Sequence, residues 1–356
     1  MFMRKLLLAC LSVAFLSFSY DGEAQINRKT LKRNNKRMAN FRGKKNNFGK
    51  DKRYNTLGFA VNALNYYGDL APRPGIGSTD ISFTRPGFAA SFNHRFGPRY
   101  TLATNFMWGT LRGADAESAD RGDLDNGVFR YRRNLSFRNQ IKELSVMGVF
   151  DLFKNEGNYL SRVKWTPYAF LGVAAFHHNP RGLAPATDLQ GNPLAEAGQW
   201  VELRPLGTEG QYANLAPTDL NAGIQPYKTL GIAIPFGVGA RFRINEVMDL
   251  SADIAFRYTF TDYLDDVSQN YVDLGVLSSP LAKAMSYRGN ELPAADQPAR
   301  TTYVGRDGQT YSVIPGYGQE FRDNLRGSKN DRDIYMVTSI RLTYILGATF
   351  HRAKFR

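Results

Sequence analysis

The sequence is nearly free of cysteine. Among 356 residues the only cysteine is Cys10, which lies in an apolar N-terminal segment. A single cysteine excludes an internal disulfide, and without Cys10 the chain has no thiol chemistry. Two basic residues precede the apolar run Leu6–Phe18 and small residues follow it, so we expect residues 1–24 to be a secretory signal peptide. Leu7–Cys10 resembles a lipoprotein cleavage box, but apolar sequence continues beyond it, which favours ordinary cleavage.

Long hydrophobic runs are also missing. After the N-terminal segment no stretch has the roughly 18 consecutive apolar residues of a membrane helix, and the mean hydropathy is −0.39. These values are typical of a soluble secreted protein. They do not exclude a transmembrane barrel, because only alternate residues of a barrel strand face lipid.

Motifs for catalysis and ligand binding are scarce. The glycine-rich stretch Ala233–Phe242 lacks the GxxxxGK[ST] pattern of a phosphate loop and lies inside a predicted strand. Its glycines are expected to relieve crowding inside a lumen. No nucleophile, base and orienting group occur at a recognisable spacing, so we expect no catalytic residues and no cofactor.

Two histidines and three aspartates are the alternative candidates for a site at a barrel rim: His177, His178, Asp262, Asp265 and Asp266. Together they could form the active site of a rim hydrolase, as acids and histidines do in some outer-membrane enzymes. The aspartates could also bind calcium with backbone carbonyls, although EF-hand spacing is absent. We expect no metal site, because a polar rim at the lipid headgroup level accounts for the same residues.

Stretches in which apolar and polar residues alternate are abundant in the chain. Between Met248 and Asp262, one face of the predicted strand is apolar: Leu250, Ala252, Ile254, Phe256, Tyr258 and Phe260. The other face is polar: Asp249, Ser251, Asp253, Arg257, Thr259 and Thr261. A period of two predicts an extended strand. The stretch is long enough to cross a bilayer, for which about 9–11 tilted residues suffice.

Six more stretches alternate in a similar way: Thr56–Tyr66, Gly87–Phe96, Tyr100–Thr110, Ser136–Leu152, Thr229–Arg243 and Ile334–Leu346. A further strand is predicted at Trp165–His177, which is more uniformly apolar, so its facing is left open. The connections alternate strictly between long segments (67–86, 111–135, 178–228 and 263–333) and short turns (97–99, 153–164 and 244–247). Outer-membrane barrels have long outer loops and short periplasmic turns. The sequence therefore predicts an all-β fold, an eight-stranded antiparallel up-and-down transmembrane β-barrel over residues 55–346, with both termini in the periplasm. A soluble β-sandwich or lipocalin-like barrel is the alternative.

An eight-stranded barrel has a lumen just wide enough for its own side chains. The predicted inward charges are Arg95, Glu143, Asp151, Asp253, Arg257 and Arg341, and we expect them to pair because unpaired buried charges are costly. A transport pore is therefore not expected. The loop segments Trp200–Gln211 and Tyr263–Tyr271 are aromatic and apolar enough to predict a folded extracellular cap.

The net charge of +14 is concentrated in two tails. Residues 26–53 contain twelve basic residues and one acidic residue, a net of +11, and residues 347–356 add +3. We expect residues 25–54 to be a disordered periplasmic arm and residues 347–356 a basic periplasmic tail. The predicted partner-binding residues of the arm are Arg28, Lys29, Lys32, Arg33, Lys36, Arg37, Arg42, Lys44 and Lys45. Behind a signal peptide, an acidic periplasmic protein or anionic lipid is a more plausible partner than nucleic acid.

Several motifs resemble a known family: NYYGDLA at 65–71, FTRPGF at 83–88, RNLSFRN at 133–139, TPYAFLGV at 166–173, WVELRPLGTEGQ at 200–211, AIPFGVGARF at 233–242, RYTFTDYLDDVSQNY at 257–271 and KNDRDIYM at 329–336. They are similar to PorG-like outer-membrane β-barrels of the type IX secretion system. The resemblance implies a cell-outer-membrane component that binds a periplasmic ring of PorK/PorN-like proteins, with outer-membrane lipid and lipopolysaccharide around it and no catalytic residues. The basic arm departs from this pattern. A structural or adhesion-type outer-membrane barrel without a secretion role is the alternative.

Overall fold

The computed structural model describes residues 48–49, 52–71, 81–293, 296, 298–329 and 331–346. In chain order, its strands are β1 Tyr54–Tyr67, β2 Arg85–Arg95, β3 Tyr100–Ala114, β4 Ser136–Asp151, β5 Trp165–His177, β6 Pro180–Leu183, β7 Trp200–Glu202, β8 Leu230–Arg243, β9 Met248–Thr259, β10 Thr301–Val304, β11 Thr310–Val313 and β12 Ile334–Leu346. The helices are α1 Asp115–Ser118, α2 Gly127–Arg133 and α3 Pro280–Ser286. Within the described residues no helix is long and apolar enough to span a membrane.

Eight of these strands close into one antiparallel barrel. They pair in the order β1, β2, β3, β4, β5, β8, β9 and β12, and β12 returns to pair with β1. Closure leaves no free edge among these strands, so their backbone donors and acceptors are satisfied within lipid. The predicted eight-stranded up-and-down barrel is confirmed.

Alternation decides which side chains face outward. On β1, Phe59 and Val61 are 64% and 60% exposed, while the alternate residues Ala60 and Asn62 are buried. The same pattern runs along β2, β3, β4, β8, β9 and β12 and produces a continuous apolar belt. Aromatic side chains mark the border of this belt beside the short turns, where Phe96 stacks on Tyr100 and Phe153 packs edge-on against Trp165. An apolar belt with an aromatic border around a closed barrel places the protein in the outer membrane.

Most predicted strand limits differ from the observed ones by a few residues. β5 and β12 are as predicted, whereas β1 begins at Tyr54, β2 spans 85–95, β4 ends at Asp151 and β8 begins at Leu230. β3 extends to Ala114 rather than Thr110, because its pairing with β4 continues beyond the membrane to Ser136. β9 ends at Thr259 rather than Asp262, because the Thr259 hydroxyl donates to the Asp333 carbonyl (2.7 Å) and the chain turns into the loops there.

Large aromatic side chains of β5 pack against glycines of β8. The aromatic residues Tyr168, Phe170 and Phe176 of β5 point into the lumen and lie opposite Gly239, Gly237 and Gly231 of β8. A Cβ atom on these glycines would lie 2.6, 2.8 and 2.5 Å from the facing ring carbons, respectively. The prediction that the β8 glycines relieve crowding in the lumen is confirmed. It also settles the facing of β5, which its uniformly apolar sequence left open.

The long loops form a compact cap over one end of the barrel, which we call the loop end. The hairpin β6–β7 extends the sheet beyond β4, and β10 pairs with β11 in a separate hairpin. Asn134 caps the C-terminus of helix α2 and adopts the left-handed conformation typical of that position, with a φ of 54°. Helix α3 begins after Ser279, whose hydroxyl accepts from the Ala282 amide. These elements are too short to show a hydrophobic periodicity, so they could not be predicted from the sequence.

Candidate functional site

The half of the lumen nearest the loop end is packed with apolar side chains. Leu64, Met107, Leu111 and Ile141 are completely buried and form one cluster with cap residues such as Leu264. Strands and loops therefore share a single core. This plug closes the barrel at the loop end, in agreement with the expectation of a filled lumen.

A buried charge pair lies beneath the plug. The Arg257 guanidinium is 3.4 Å from Glu143 Oε2, and the Tyr335 hydroxyl donates to the same oxygen at 2.6 Å. All three side chains are buried. Removal of one partner would leave an uncompensated charge in a medium of low dielectric, which is strongly destabilising.

The other half of the lumen holds a polar cavity of about 60 Å³. Arg95 and Arg241 both pair with Asp151, at 2.6 and 3.1 Å. Asp253 accepts a hydrogen bond from the Tyr168 hydroxyl at 3.0 Å. A cavity of this size holds a few waters and is too small for a solute to pass.

All six predicted inward charges lie in the lumen, and most have partners as expected. Asp253 and Arg341 are the exceptions, because neither has an ion-pair partner among the described residues: Asp253 accepts from the Tyr168 hydroxyl, and Arg341 lines the cavity. Arg241 is a further inward charge that was not predicted. Its position continues the inward period of β8 through Gly237 and Gly239, so the signal was present.

Arg162 was also missed, and it organises the opposite end of the barrel, which we call the turn end. This buried residue of the second short turn donates to the carbonyls of Asn245 (3.0 Å) and Glu246 (2.7 Å) in the third turn, and pairs with Asp249 at 2.8 Å. The Asn155 amide donates to the Pro98 carbonyl of the first turn at 2.9 Å. Hydrogen bonds thus join three turns into one surface. No local sequence pattern marks a turn arginine for this role.

Arg326 has a corresponding role in the cap, where it joins separate loop segments. It is 2% exposed, pairs with Glu209 Oε1 at 3.0 Å, and donates to the Asp266 carbonyl. The same Glu209 oxygen accepts from the amides of Ser268 (2.9 Å) and Gln269 (3.1 Å). The predicted packing of Trp200–Gln211 against Tyr263–Tyr271 is confirmed.

A second group of carboxyls surrounds the Tyr66 hydroxyl. This oxygen lies 2.8 Å from Asp265 Oδ2 and 2.6 Å from Asp333 Oδ1. Burial raises the pKa of Asp265 and of Asp333 well above 3.8, and the neighbouring carboxylates add to the shift. Burial also raises the pKa of Asp262, to about 8.

The predicted rim residues do not assemble into a hydrolase site. His177 faces outward, whereas His178 is buried, with Nε2 2.9 Å from the Lys228 carbonyl and its ring stacked on Tyr227. Burial lowers the pKa of His178 to about 4. Neither histidine is brought to Asp262 or Asp265 in the described part of the chain.

Two of the three rim aspartates also have separate partners. Asp266 accepts from the hydroxyls of Thr208 (2.6 Å) and Tyr227 (2.7 Å), while Asp265 is bound to Tyr66. Among the described residues no group of three or more His, Cys, Asp or Glu side chains is arranged to hold a metal ion. The carboxyls of the cap therefore serve its internal packing.

The predicted partner-binding residues of the basic arm, Arg28 to Lys45, and the basic tail 347–356 lie outside the described residues.

A family described as "Domain of unknown function (DUF6089)" matches residues 46–191. No curated protein matches the chain.

Several solved outer-membrane barrels are similar to the chain at low identity. Ail, the attachment invasion locus protein of Yersinia pestis, has 9% identity and a TM-score of 0.31, over 83% of this chain and 97% of Ail. Neisserial surface protein A has 7% identity and a TM-score of 0.32, over 82% and 96%. A major outer membrane protein from Thermus thermophilus has 12% identity and a TM-score of 0.33, over 82% and 99%.

Proposed function

We propose that this barrel is a non-enzymatic anchor that holds a periplasmic protein-secretion complex at the outer membrane. The observation that carries the proposal is the turn end, where Arg162 joins the second and third turns into one surface beneath a plugged lumen. The PorG-like motifs point to the same role and to a ring of PorK/PorN-like proteins as the partner.

The closed lumen supports binding over transport. A plug of completely buried side chains such as Leu64, Met107 and Ile141 closes the loop end. The remaining cavity of about 60 Å³ is lined by arginines such as Arg95, which pairs with Asp151. A barrel without a passage acts through its surfaces, and the periplasmic surface is the one that a periplasmic complex can reach.

Charge supports an acidic partner at the turn end. Accessible basic residues of the turns are Arg99, Lys154, Lys164 and Arg243, against Glu156 and Glu246, so four minus two gives +2. The arm at 26–53 adds +11. Opposite charge accelerates encounter and makes the complex sensitive to salt.

A structural outer-membrane barrel is the second candidate. In that case the basic arm would bind only the anionic headgroups of the inner surface of the membrane, at about 1 kcal/mol for each basic residue near the surface. The arm's density of positive charge favours this alternative as strongly as it favours an acidic protein.

Purification in mild detergent separates the two candidates. We expect periplasmic proteins to copurify with the full chain at low salt, and to be lost when residues 28–53 are deleted or the salt is raised. Lys154→Glu combined with Lys164→Glu should weaken recovery, whereas Lys329→Glu combined with Arg332→Glu at the loop end should not. Recovery of lipid alone at both salt concentrations would contradict the anchor and leave the structural barrel.

A further inference from the structure

A row of arginines crosses the outward face of the sheet above the apolar belt. In the strand register, Arg112 of β3 lies opposite Arg138 of β4, and Arg138 lies opposite Arg181 of β6. Their inward neighbours Leu111 and Asn139 are completely buried, so the arginines face away from the lumen. Residues directly opposite on paired strands have Cβ atoms only about 4.5–5.5 Å apart. Three like charges are therefore held side by side.

Lys142 extends this row toward the membrane. It faces outward on β4, opposite Trp108 on one side and His177 on the other. One outward position below it is Leu144, which is 54% exposed, and Trp108 is 51% exposed, so Lys142 lies at the edge of the apolar belt. We call Arg112, Arg138, Lys142 and Arg181 the basic rim patch.

Only part of the charge of the basic rim patch is balanced. Arg112 pairs with Glu117, and Arg181 pairs with Glu202 at 2.8 Å. Arg138 lies over the Trp200 ring at 5.1 Å, and neither Arg138 nor Lys142 has a carboxylate partner among the described residues. Four cations and two carboxylates leave a charge of +2. Like charges opposite each other destabilise a sheet, and an anion between them would offset that cost.

The location of the patch determines which anion can reach it. Arg138 and Lys142 project from the same face as the lipid-contacting Leu144 and Val146, two to eight residues away along β4. At about 3.4 Å per residue along a tilted strand, this places the two cations level with lipid headgroups. The loop end is the outer end of a barrel with long outer loops and short periplasmic turns.

We infer that the basic rim patch binds the phosphate groups of an outer-leaflet glycolipid, with Arg138 and Lys142 as the principal contacts. Acyl chains of the same molecule would lie on Trp108 and Leu144 directly below. Arginine and lysine both suit phosphate, arginine through its planar donors and lysine as a point charge. The inference is independent of the partner proposed for the turn end.

Binding of purified lipid A to the detergent-solubilised full chain tests this inference. The test variant is Arg138→Gln combined with Lys142→Gln, which removes two charges and retains unbranched polar side chains. The control is Lys329→Gln combined with Arg332→Gln, which removes two charges at the loop end beside β12, on the far side of the barrel from β4. The shift of the band between heated and unheated gel samples verifies that each variant is folded.

We expect the test variant to bind lipid A about 25-fold more weakly, at about fivefold for each basic residue near an anionic membrane surface. The control should match the wild-type protein, and dephosphorylated lipid A should bind the wild-type protein as weakly as lipid A binds the test variant. Equal binding of lipid A by all three proteins would overturn the inference. Displacement of lipid A by equimolar inorganic phosphate would also overturn it, because the ligand would then be free phosphate.

Discussion

The hydrogen bonds of the Tyr66 hydroxyl determine the protonation state of the two carboxyls beside it. It contacts carboxyl oxygens of both Asp265 and Asp333, but a phenol has a single hydrogen to donate. One of the two carboxyls must therefore carry a proton and donate to the phenol oxygen. Burial and repulsion by neighbouring carboxylates raise the pKa of both aspartates, which is consistent with a proton held between them.

This arrangement predicts a cap that weakens as the pH rises. A carboxyl whose pKa is higher in the folded than in the unfolded state holds more protons when folded, so the free energy of unfolding falls with increasing pH. For Asp262 the contribution is complete below pH 3.8 and is lost as the pH passes through about 8. Asp265 and Asp333 shift in the same direction.

Hydrogen exchange of segment 263–271, corrected for intrinsic rates with unstructured peptides, measures the effect. We expect faster opening at pH 9 than at pH 6. Asp333→Asn should reduce the pH dependence, whereas Asp323→Asn, at an exposed site of the same loop, should not. Protection that is constant or increases with pH would contradict the shared proton.

Substitution of Arg326 is expected to cause a large loss of cap stability. Arg326→Met would leave Glu209 and Asp266 buried without their counter-charge, which costs about 3–5 kcal/mol for a buried pair. Arg306→Met is the matched control, because Arg306 is 42% exposed in its pairs with Asp219 and Glu320. An exposed pair contributes about 0–1 kcal/mol. Limited proteolysis of the cap should distinguish the two variants, and equal susceptibility would refute the role of Arg326.

At the scale of the element, the close approach of β8 to β9 depends on glycine. A Cβ atom at Gly237 would lie 2.4 Å from the Ile254 carbonyl oxygen and 2.7 Å from Ala255 Cα, and both are backbone atoms that cannot move aside. At Gly148, on the outward face of β4, the nearest atom to an added Cβ is 3.8 Å away.

We therefore expect Gly237→Ala to destabilise the barrel by about 1–3 kcal/mol through overpacking. Gly148→Ala should be neutral or slightly stabilising, because alanine restricts the unfolded chain. Urea unfolding in lipid vesicles, followed by the difference in gel migration, gives both values. A Gly237→Ala barrel as stable as the Gly148→Ala barrel would show that β8 can move away from β9.

The strands of the barrel could be predicted because a bilayer imposes one rule on every one of them. The apolar residues from Leu250 to Tyr258 on β9 alternate with polar residues, since one face meets lipid and the other meets the lumen. β5 lacks that contrast, because its lumen face carries Tyr168, Phe170 and Phe176, and only the register with β8 reveals why. Pairing of side chains distant in sequence follows no local period. Arg162 with the third turn and Arg326 with Glu209 therefore required the folded structure.

At the scale of the whole molecule, the protein has two ends with different construction. The loop end is sealed by a core that the strands and the cap share, and it carries the basic rim patch on its outer side. The turn end is small and cross-linked by Arg162, and residues 26–53, which precede β1 in the sequence, carry a net charge of +11. The proposed anchor role requires such an asymmetry, since one end is closed toward the exterior and the other presents a fixed surface to a partner.

Site-specific photo-crosslinking in intact cells tests the anchor most directly. A photoreactive residue at Glu156 or Glu246 probes the turn end, and one at Leu124, which is 75% exposed in a long loop, is the control. The proposed function predicts adducts with periplasmic proteins of a secretion ring from both turn positions and none of these adducts from Leu124. Turn positions that yield only lipid adducts, or ring adducts that form from Leu124, would contradict it.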